Sequence, residues 1–206
     1  RQASGLGVTL EEFRSKMTRA TGRNFVYLRR RISPPEADLI LSLGIPGVYG
    51  EREYHRFYPA GEVTAHVVGF TDIDDRGQEG IELSFDHWLK GEPGKNKVLK
   101  NLYGEVVKDL MPIAEAVPGR ALQLSIDQRL QFLAYRELKS AVQQYEALSG
   151  SMVLLDVHTG EILAMVNQPS YNPNNRIQLD LSSVRNRAIT DTFEPGSTVK
   201  PLTVAI

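Results

Sequence analysis

The sequence predicts an α+β fold in two parts, residues 1–118 and 119–206. Three observations lead there. Residues 9–110 alternate short helix signals with short runs of strand formers. Met111 to Arg120 breaks that pattern with two prolines and little periodicity, and reads as a linker. Beyond it lie the clearest amphipathic stripe of the chain and two apolar runs around a glycine turn.

Thr9-Leu10-Glu11-Glu12 has the capping-box pattern that opens a helix, which Gly22 closes. Phe25-Val26-Tyr27-Leu28 is rich in strand formers and predicts a strand. Ser33-Pro34-Pro35-Glu36 is a second capping box, with proline at the first helical position, and its helix ends at Gly44. Pro59-Ala60-Gly61 turns into the apolar stretch Val63 to Phe70, a helix or a strand. Gly80 to Leu89 predicts one helix, with Ile81, Phe85, Trp88 and Leu89 on its core side and Gly91 as its stop. Val98 to Lys100 and Glu105 to Leu110 flank Asn101-Leu102-Tyr103-Gly104 as a hairpin.

In the second part, Asp127 to Leu148 predicts a long helix. Leu130, Leu133, Ala134, Leu138, Ala141, Val142 and Tyr145 recur at steps of three and four. Asp127 can cap it, or Ser125 paired with Gln128. Ser151–Leu155 and Ile162–Val166 flank the turn Asp156-Val157-His158-Thr159-Gly160 and predict an antiparallel hairpin packed on that helix. Neither run alternates polar with apolar, which is the pattern of strands in a sheet covered on both faces. Asn167 to Asn175 reads as a loop.

Bulk properties exclude several classes. A net charge of -1 gives no global attraction to nucleic acid or to an anionic membrane. No apolar run approaches the roughly 18 residues of a membrane span, and no signal-peptide pattern follows Arg1. Cysteine is absent, so disulfides and thiolate metal sites are excluded. His55, His66, His87 and His158 fall at no metal-ligand spacing, and no metal or other cofactor is expected. Asp72 to Gly77 lacks the EF-hand spacing and reads as a turn. Arg29-Arg30-Arg31 reads as a solvated strand edge, and Glu62 and Glu82 read as solvated charges.

The chemistry concentrates at Glu194-Pro195-Gly196-Ser197-Thr198-Val199-Lys200-Pro201. A serine hydroxyl is a poor nucleophile until a base stands beside it, and helix positions three apart share a face. On spacing alone, a helix cap at Ser197 and a surface charge at Lys200 are the favoured readings, because a serine and a lysine three apart are common by chance. Context favours chemistry. Pro195-Gly196 enters the helix tightly, so Ser197 falls in its first turn, where unpaired N–H groups favour an oxyanion. Pro201 removes the N–H that the Ser197 carbonyl would ordinarily accept. To act as a base, Lys200 must lose its proton from a reference pKa of about 10.4, a shift of roughly three units or about 4 kcal/mol. Burial or neighbouring cations can supply that. A roof over Lys200, a relay group and a second oxyanion donor are therefore required.

These residues resemble the Ser-x-x-Lys motif of penicillin-binding proteins, which accompanies Ser-Asx-Asn and Lys-Thr-Gly motifs. Phe57 to His66 with Gly69-Phe70-Thr71 resembles the pedestal of the class B members, and Gly80-Ile81-Glu82 through Gly91 is similar to the segment before their transpeptidase domain. Leu124–Asp127, Thr159–Met165 and Pro169–Asn174 resemble the start of that domain, and Arg185–Asp191 leads into the serine as in the division-specific type. The resemblance covers Asn24 to Pro201.

It implies a pedestal domain, 1–118, followed by the first part of a transpeptidase domain, 119–206. The implied parent is a periplasmic peptidoglycan D,D-transpeptidase of septal wall synthesis, anchored by an N-terminal helix and acylated by stem peptides and β-lactams. Ser197 is its nucleophile and Lys200 its general base; other membrane division proteins are the expected partners of the pedestal, and nucleic acid is not. Ser-x-Asn, Lys-Thr-Gly and the anchor are absent, so the chain reads as a fragment, inactive alone. Two rivals stand beside this reading. A serine β-lactamase-like hydrolase would not need so long a region before its motif. A non-catalytic interaction module of the division machinery would need only the pedestal.

Overall fold

The structure is a computed structural model that describes residues 8–22, 25–100, 106–177 and 179–205. It forms two compact units, Arg1–His55 and Arg56–Ile206.

In the first unit, helix α1 spans Leu10–Arg19 and has the expected cap: the Thr9 hydroxyl accepts from Glu12 N, and the Glu12 carboxylate accepts from Thr9 N. Helix α2 spans Pro34–Ser42, its Glu36 carboxylate accepting from both the N–H and the hydroxyl of Ser33. Gly22 and Gly44 follow the two helices at positive φ, as their stop signals predict. Neither helix buries a residue. The strand expected at Phe25–Leu28 is not formed. Strand formers need a partner ladder, and here side chains bind the segment instead: Lys16 donates to the Leu28 carbonyl, Tyr27 donates to Glu51, and Arg30 pairs with Glu53 at 2.6 Å. The arginine run is thus not a strand edge. Arg30 stacks on Tyr27, and Arg29 pairs with Glu36.

In the second unit, a 3-10 turn Gly61–Val63 leads into helix α3, Ala65–Val68. The single helix expected from Gly80 to Leu89 is two: α4, Gly80–Ser84, and α5, Asp86–Leu89, broken where Phe85 takes φ -118° and ψ 24°. The break leaves Trp88 38% exposed rather than in a core. Arg120 covers its ring, and its N–H donates to the Ala121 carbonyl. Two glycines explain the close approach of α3 to α4. A Cβ on Gly69, at φ 77°, would lie 1.8 Å from the Glu79 carbonyl oxygen; one on Gly80, at φ 59°, would lie 2.6 Å from that of Val67.

Strands β1, Lys95–Lys100, and β2, Val106–Ala114, pair antiparallel with bulges. The turn expected at 101–104 lies outside the described residues. β2 runs through Pro112 into the expected linker, which therefore begins as strand; a two-stranded ribbon leaves edges free, and there proline is tolerated. An isolated bridge between Glu92 and Val117 closes the base of the ribbon.

Helix α6 spans Gln128–Gln144, ending earlier than expected. Asp127 caps it by accepting from Arg129 N and Leu130 N. Ser125 does not cap; its hydroxyl donates to the Ile162 carbonyl. α6 packs on the expected hairpin, β3 (Gly150–Leu155) with β4 (Ile162–Gln168). Ala134, Tyr135 and Leu138 meet Ala164 and Val166 in the core, flanked by Val63, Leu130 and Val142. The stripe is rotated from the one expected: Leu133 and Tyr145 face out, while Gln131 is fully buried. β4 is buried, whereas Met152, Val153, Leu154 and Leu155 of β3 are exposed. Among the described residues β4 is therefore covered on both faces, while β3 is left open. The loop expected from Asn167 starts two residues later, because Asn167 and Gln168 continue β4. Short helices α7, Leu181–Val184, and α8, Arg187–Thr190, lead to a 3-10 turn, Gly196–Val199, and helix α9, Lys200–Ala205.

Candidate active site

Ser197 is the second residue of the 3-10 turn and Lys200 the first of α9. Gly196, at φ 53°, makes the tight entry that Pro195-Gly196 predicts. The Thr198 N–H donates to the Pro195 carbonyl at 3.1 Å. The Lys200 N–H donates to the Ser197 carbonyl, so the donor that Pro201 cannot supply four residues on comes from three residues on. That substitution is why the turn is 3-10 rather than α.

Both residues are exposed, as are Phe193, Leu202 and Val204 around them. The cover that Lys200 needs is not supplied by the described residues. Upstream, Asp191 pairs with Arg185 at 2.6 Å and with Arg187 at 3.4 Å, and the Arg185 side chain also donates to Thr190.

The other sequence candidates lie elsewhere. Glu82 is not a solvated charge. It is 5% exposed and pairs with Arg56, which reaches it with two nitrogens at 2.8 and 3.1 Å. Glu62 accepts from Tyr135 and pairs with Lys139 at 3.3 Å. The Tyr135 hydroxyl bond holds the Glu62 carboxyl below its ordinary range. The Asp72 carboxylate accepts from Asp74 N and Arg76 N, which makes the segment a turn. His66 is buried beside Tyr171, its Nε2 2.8 Å from the Ser183 carbonyl; burial pushes its pKa down. Among the described residues no cluster of acidic or histidine side chains could hold a metal, and no helix is long and apolar enough to cross a membrane.

Sequence reasoning missed a set of buried polar side chains. The Gln131 amide donates to the carbonyls of Val63 (2.7 Å) and Met165 (2.8 Å), and its oxygen accepts from Met165 N (2.8 Å). Asn174 exchanges two bonds with the Tyr58 backbone, Tyr171 donates to the Ala65 carbonyl, and Ser170 to that of Glu62. Asn167, 1% exposed, joins β4 to α8. These bonds tie residues 58–65 to residues 165–174, and β4 to α8. The available signal is the cluster of asparagine and glutamine at 167–175, whose composition is that of a loop.

Comparisons with known proteins agree across the chain. The Penicillin-binding Protein dimerisation domain matches residues 3–124, and the Penicillin binding protein transpeptidase domain matches residues 150–206. Peptidoglycan D,D-transpeptidase FtsI of Escherichia coli K12 is 49% identical over 202 residues, covering 98% of this chain and 34% of that protein. The probable peptidoglycan D,D-transpeptidase PbpC of Pseudomonas aeruginosa is 48% identical over 183 residues, covering 89% of this chain and 32% of its own length. The chain thus spans about a third of the length of these relatives. Among solved structures, penicillin-binding protein 3 of Mycobacterium tuberculosis aligns with TM-score 0.61 at 32% identity, over 73% of this chain and 30% of that one. A peptidoglycan synthetase of Bifidobacterium adolescentis aligns with TM-score 0.62 at 26% identity, over 98% of this chain and 37% of that one. With the dimerisation domain ahead of the transpeptidase domain in one polypeptide, the chain belongs to the class B penicillin-binding proteins.

Proposed function

We propose that these residues form part of a peptidoglycan D,D-transpeptidase of septal wall synthesis, in which Ser197 is the nucleophile and Lys200 its general base. What supports the proposal is the 3-10 turn at Ser197, bonded to Lys200 through the Lys200 N–H and the Ser197 carbonyl, within a chain of this family. In the assembled site, neutral Lys200 takes the proton from Ser197 Oγ as the oxygen attacks the carbonyl of a D-alanyl-D-alanine terminus. The new C–O bond forms, the C–N bond to the terminal D-alanine breaks, and the proton passes to the departing amine. An acceptor amine then attacks the ester, a new amide forms, and Oγ regains a proton. A β-lactam enters the same first step, but its leaving amine stays tethered.

We place the functional border near residue 118. The Glu92–Val117 bridge closes the ribbon just before it, which favours 1–118 as pedestal and 119–206 as the transpeptidase start. The family favours a periplasmic location with an N-terminal membrane anchor, and a pedestal that contacts other division proteins. For the 206-residue chain taken alone, the exposure of Ser197 and Lys200 favours a second reading, an interaction module without catalysis.

Time-resolved labelling of the full-length protein with a fluorescent penicillin tests the proposal. Stable acylation at Ser197 is expected. Rapid turnover would instead indicate a β-lactamase-like hydrolase, and no label a scaffold.

A further inference from the structure

We propose that Asn167 is a positioning residue for Ser197, a role that rests on the catalytic reading above. Asn167 stands at the end of β4, opposite Ser151 of β3, with its side chain buried and the residue 1% exposed. Its Oδ1 accepts from the Ser151 hydroxyl at 2.7 Å and from the Ala188 N–H at 2.9 Å; its Nδ2 donates to Asn186 Oδ1 at 2.9 Å.

Ala188 lies in the first turn of α8, where N–H groups have no partner within the helix. Asn186 occupies the N-cap position of α8, yet its own side chain makes no cap bond. Its amide donates instead to the His66 carbonyl at 3.3 Å. The cap of α8 is therefore supplied from the strand: beside the packing of α8 on β3 and β4, one Asn167 amide group bonds both the Ala188 N–H and the Asn186 side chain. An ordinary cap fixes only the local entry of a helix; a cap from β4 fixes where α8 sits on the sheet.

That placement is passed on. Asp191 at the end of α8 is gripped by Arg185 and Arg187, so the chain leaves the helix in a set direction. Six residues, 191–196, then reach Ser197. A reacting oxygen must stand about 3–3.5 Å from its target carbon, and a misplacement on the order of 1 Å can cost 10²-fold in rate. A strand residue that sets α8 thus acts on the rate without touching substrate.

The test uses the full-length protein and three variants: Asn167→Ala, Asn167→Asp and Ser151→Ala. Ser151→Ala removes a hydrogen bond to the same oxygen while leaving the bonds of Asn167 to Ala188 and Asn186 in place, and serves as the control for mere loosening of the sheet. The readouts are the first-order acylation rate at saturating penicillin, the fraction of protein that becomes labelled, and the deacylation rate. Asn167→Ala is expected to slow acylation about 10- to 100-fold, with full labelling at long times and unchanged deacylation, while Ser151→Ala acylates as wild type. If Asn167→Ala does not fold, Asn167→Asp carries the test: it keeps the oxygen that caps Ala188 and loses the donor to Asn186, and a slowing of several-fold is expected. Wild-type acylation in a folded Asn167 variant would overturn the proposal, as would equal slowing in Ser151→Ala. Failure of the wild-type protein itself to label at Ser197 would strike the catalytic reading instead.

Discussion

Residues 56–190 and residues 193–205 share one compact unit but are held by opposite means. The first stretch is riveted by buried amides and aromatic hydroxyls: Gln131 bonds across to Val63 and Met165, Asn174 to Tyr58, Tyr171 to Ala65. The second stands in solvent, with Phe193, Ser197, Lys200 and Leu202 all exposed, and its turn is held by bonds to its own backbone. The contrast separates two meanings of a strong sequence motif. Pro-Ala-Gly-Glu-Val-Thr-Ala-His in the first stretch is explained by packing: Ala65 and His66 are buried and Glu62 is bound to Tyr135. Pro-Gly-Ser-Thr-Val-Lys in the second packs against little among the described residues, and we propose that chemistry explains its composition.

The largest expected effect is on the exposed side. In the full-length protein, Ser197→Ala abolishes penicillin labelling while the melting temperature barely moves, since Pro195 and not Ser197 holds the N-cap position of the turn and no side-chain cap bond is made there. Lys200→Ala likewise blocks acylation; labelling at the wild-type rate would remove Lys200 from the role of base. A large loss of stability in either variant would erase the contrast itself.

On the packed side the effects reverse, with folding lost before chemistry. Gly69→Ala drives a methyl into the Glu79 carbonyl at a backbone φ of 77°. Strain of this kind costs about 3 kcal/mol or more once the clash is added, so urea unfolding shifts to a much lower midpoint. Gln131→Ala leaves the Val63 carbonyl and the Met165 N–H and carbonyl to find new partners. Each unsatisfied buried group costs about 1–3 kcal/mol, and a loss of about 3 kcal/mol is expected by chemical denaturation.

The smallest effect is a pH dependence. Burial lowers the His66 pKa below its ordinary 6.5, a shift only partly offset by the bond to the Ser183 carbonyl and reinforced by Arg187. A depressed pKa means that the folded state resists protonation. His66 therefore contributes stability above pH 6.5 that is lost as pH falls through the folded value. His66→Gln should be flatter than wild type in melting temperature between about pH 7 and 5, where the carboxylates are still ionised. Identical slopes would show that His66 is not the titrating group.

Legibility in the sequence follows the same divide. Helix ends are readable where the capping group sits beside its partner, as at Thr9–Glu12 and Asp127–Leu130, and the β3–β4 hairpin is readable from two apolar runs around Gly160. These are local patterns of the chain. Phe25–Leu28 has strand composition but pairs with no strand among the described residues, and Phe85 breaks a helix whose apolar spacing is intact. The burial of Gln131 and Asn167 depends on partners 16 to 68 residues away, which periodicity does not see. For the candidate site, residue types and spacing point to Ser197 and Lys200. The relay through Asn167 and Asn186 stays hidden because asparagine-rich sequence looks like loop whether it is exposed or buried.

The most direct measurement sets the 206-residue chain beside the full-length protein, each incubated with a fluorescent penicillin and read by intact mass and peptide mapping. A general base on an exposed turn lacks the desolvation that acylation requires. The account predicts a stoichiometric adduct on Ser197 of the full-length protein and none on the 206-residue chain. An adduct on a residue other than Ser197, or a stoichiometric adduct on the 206-residue chain, would contradict it.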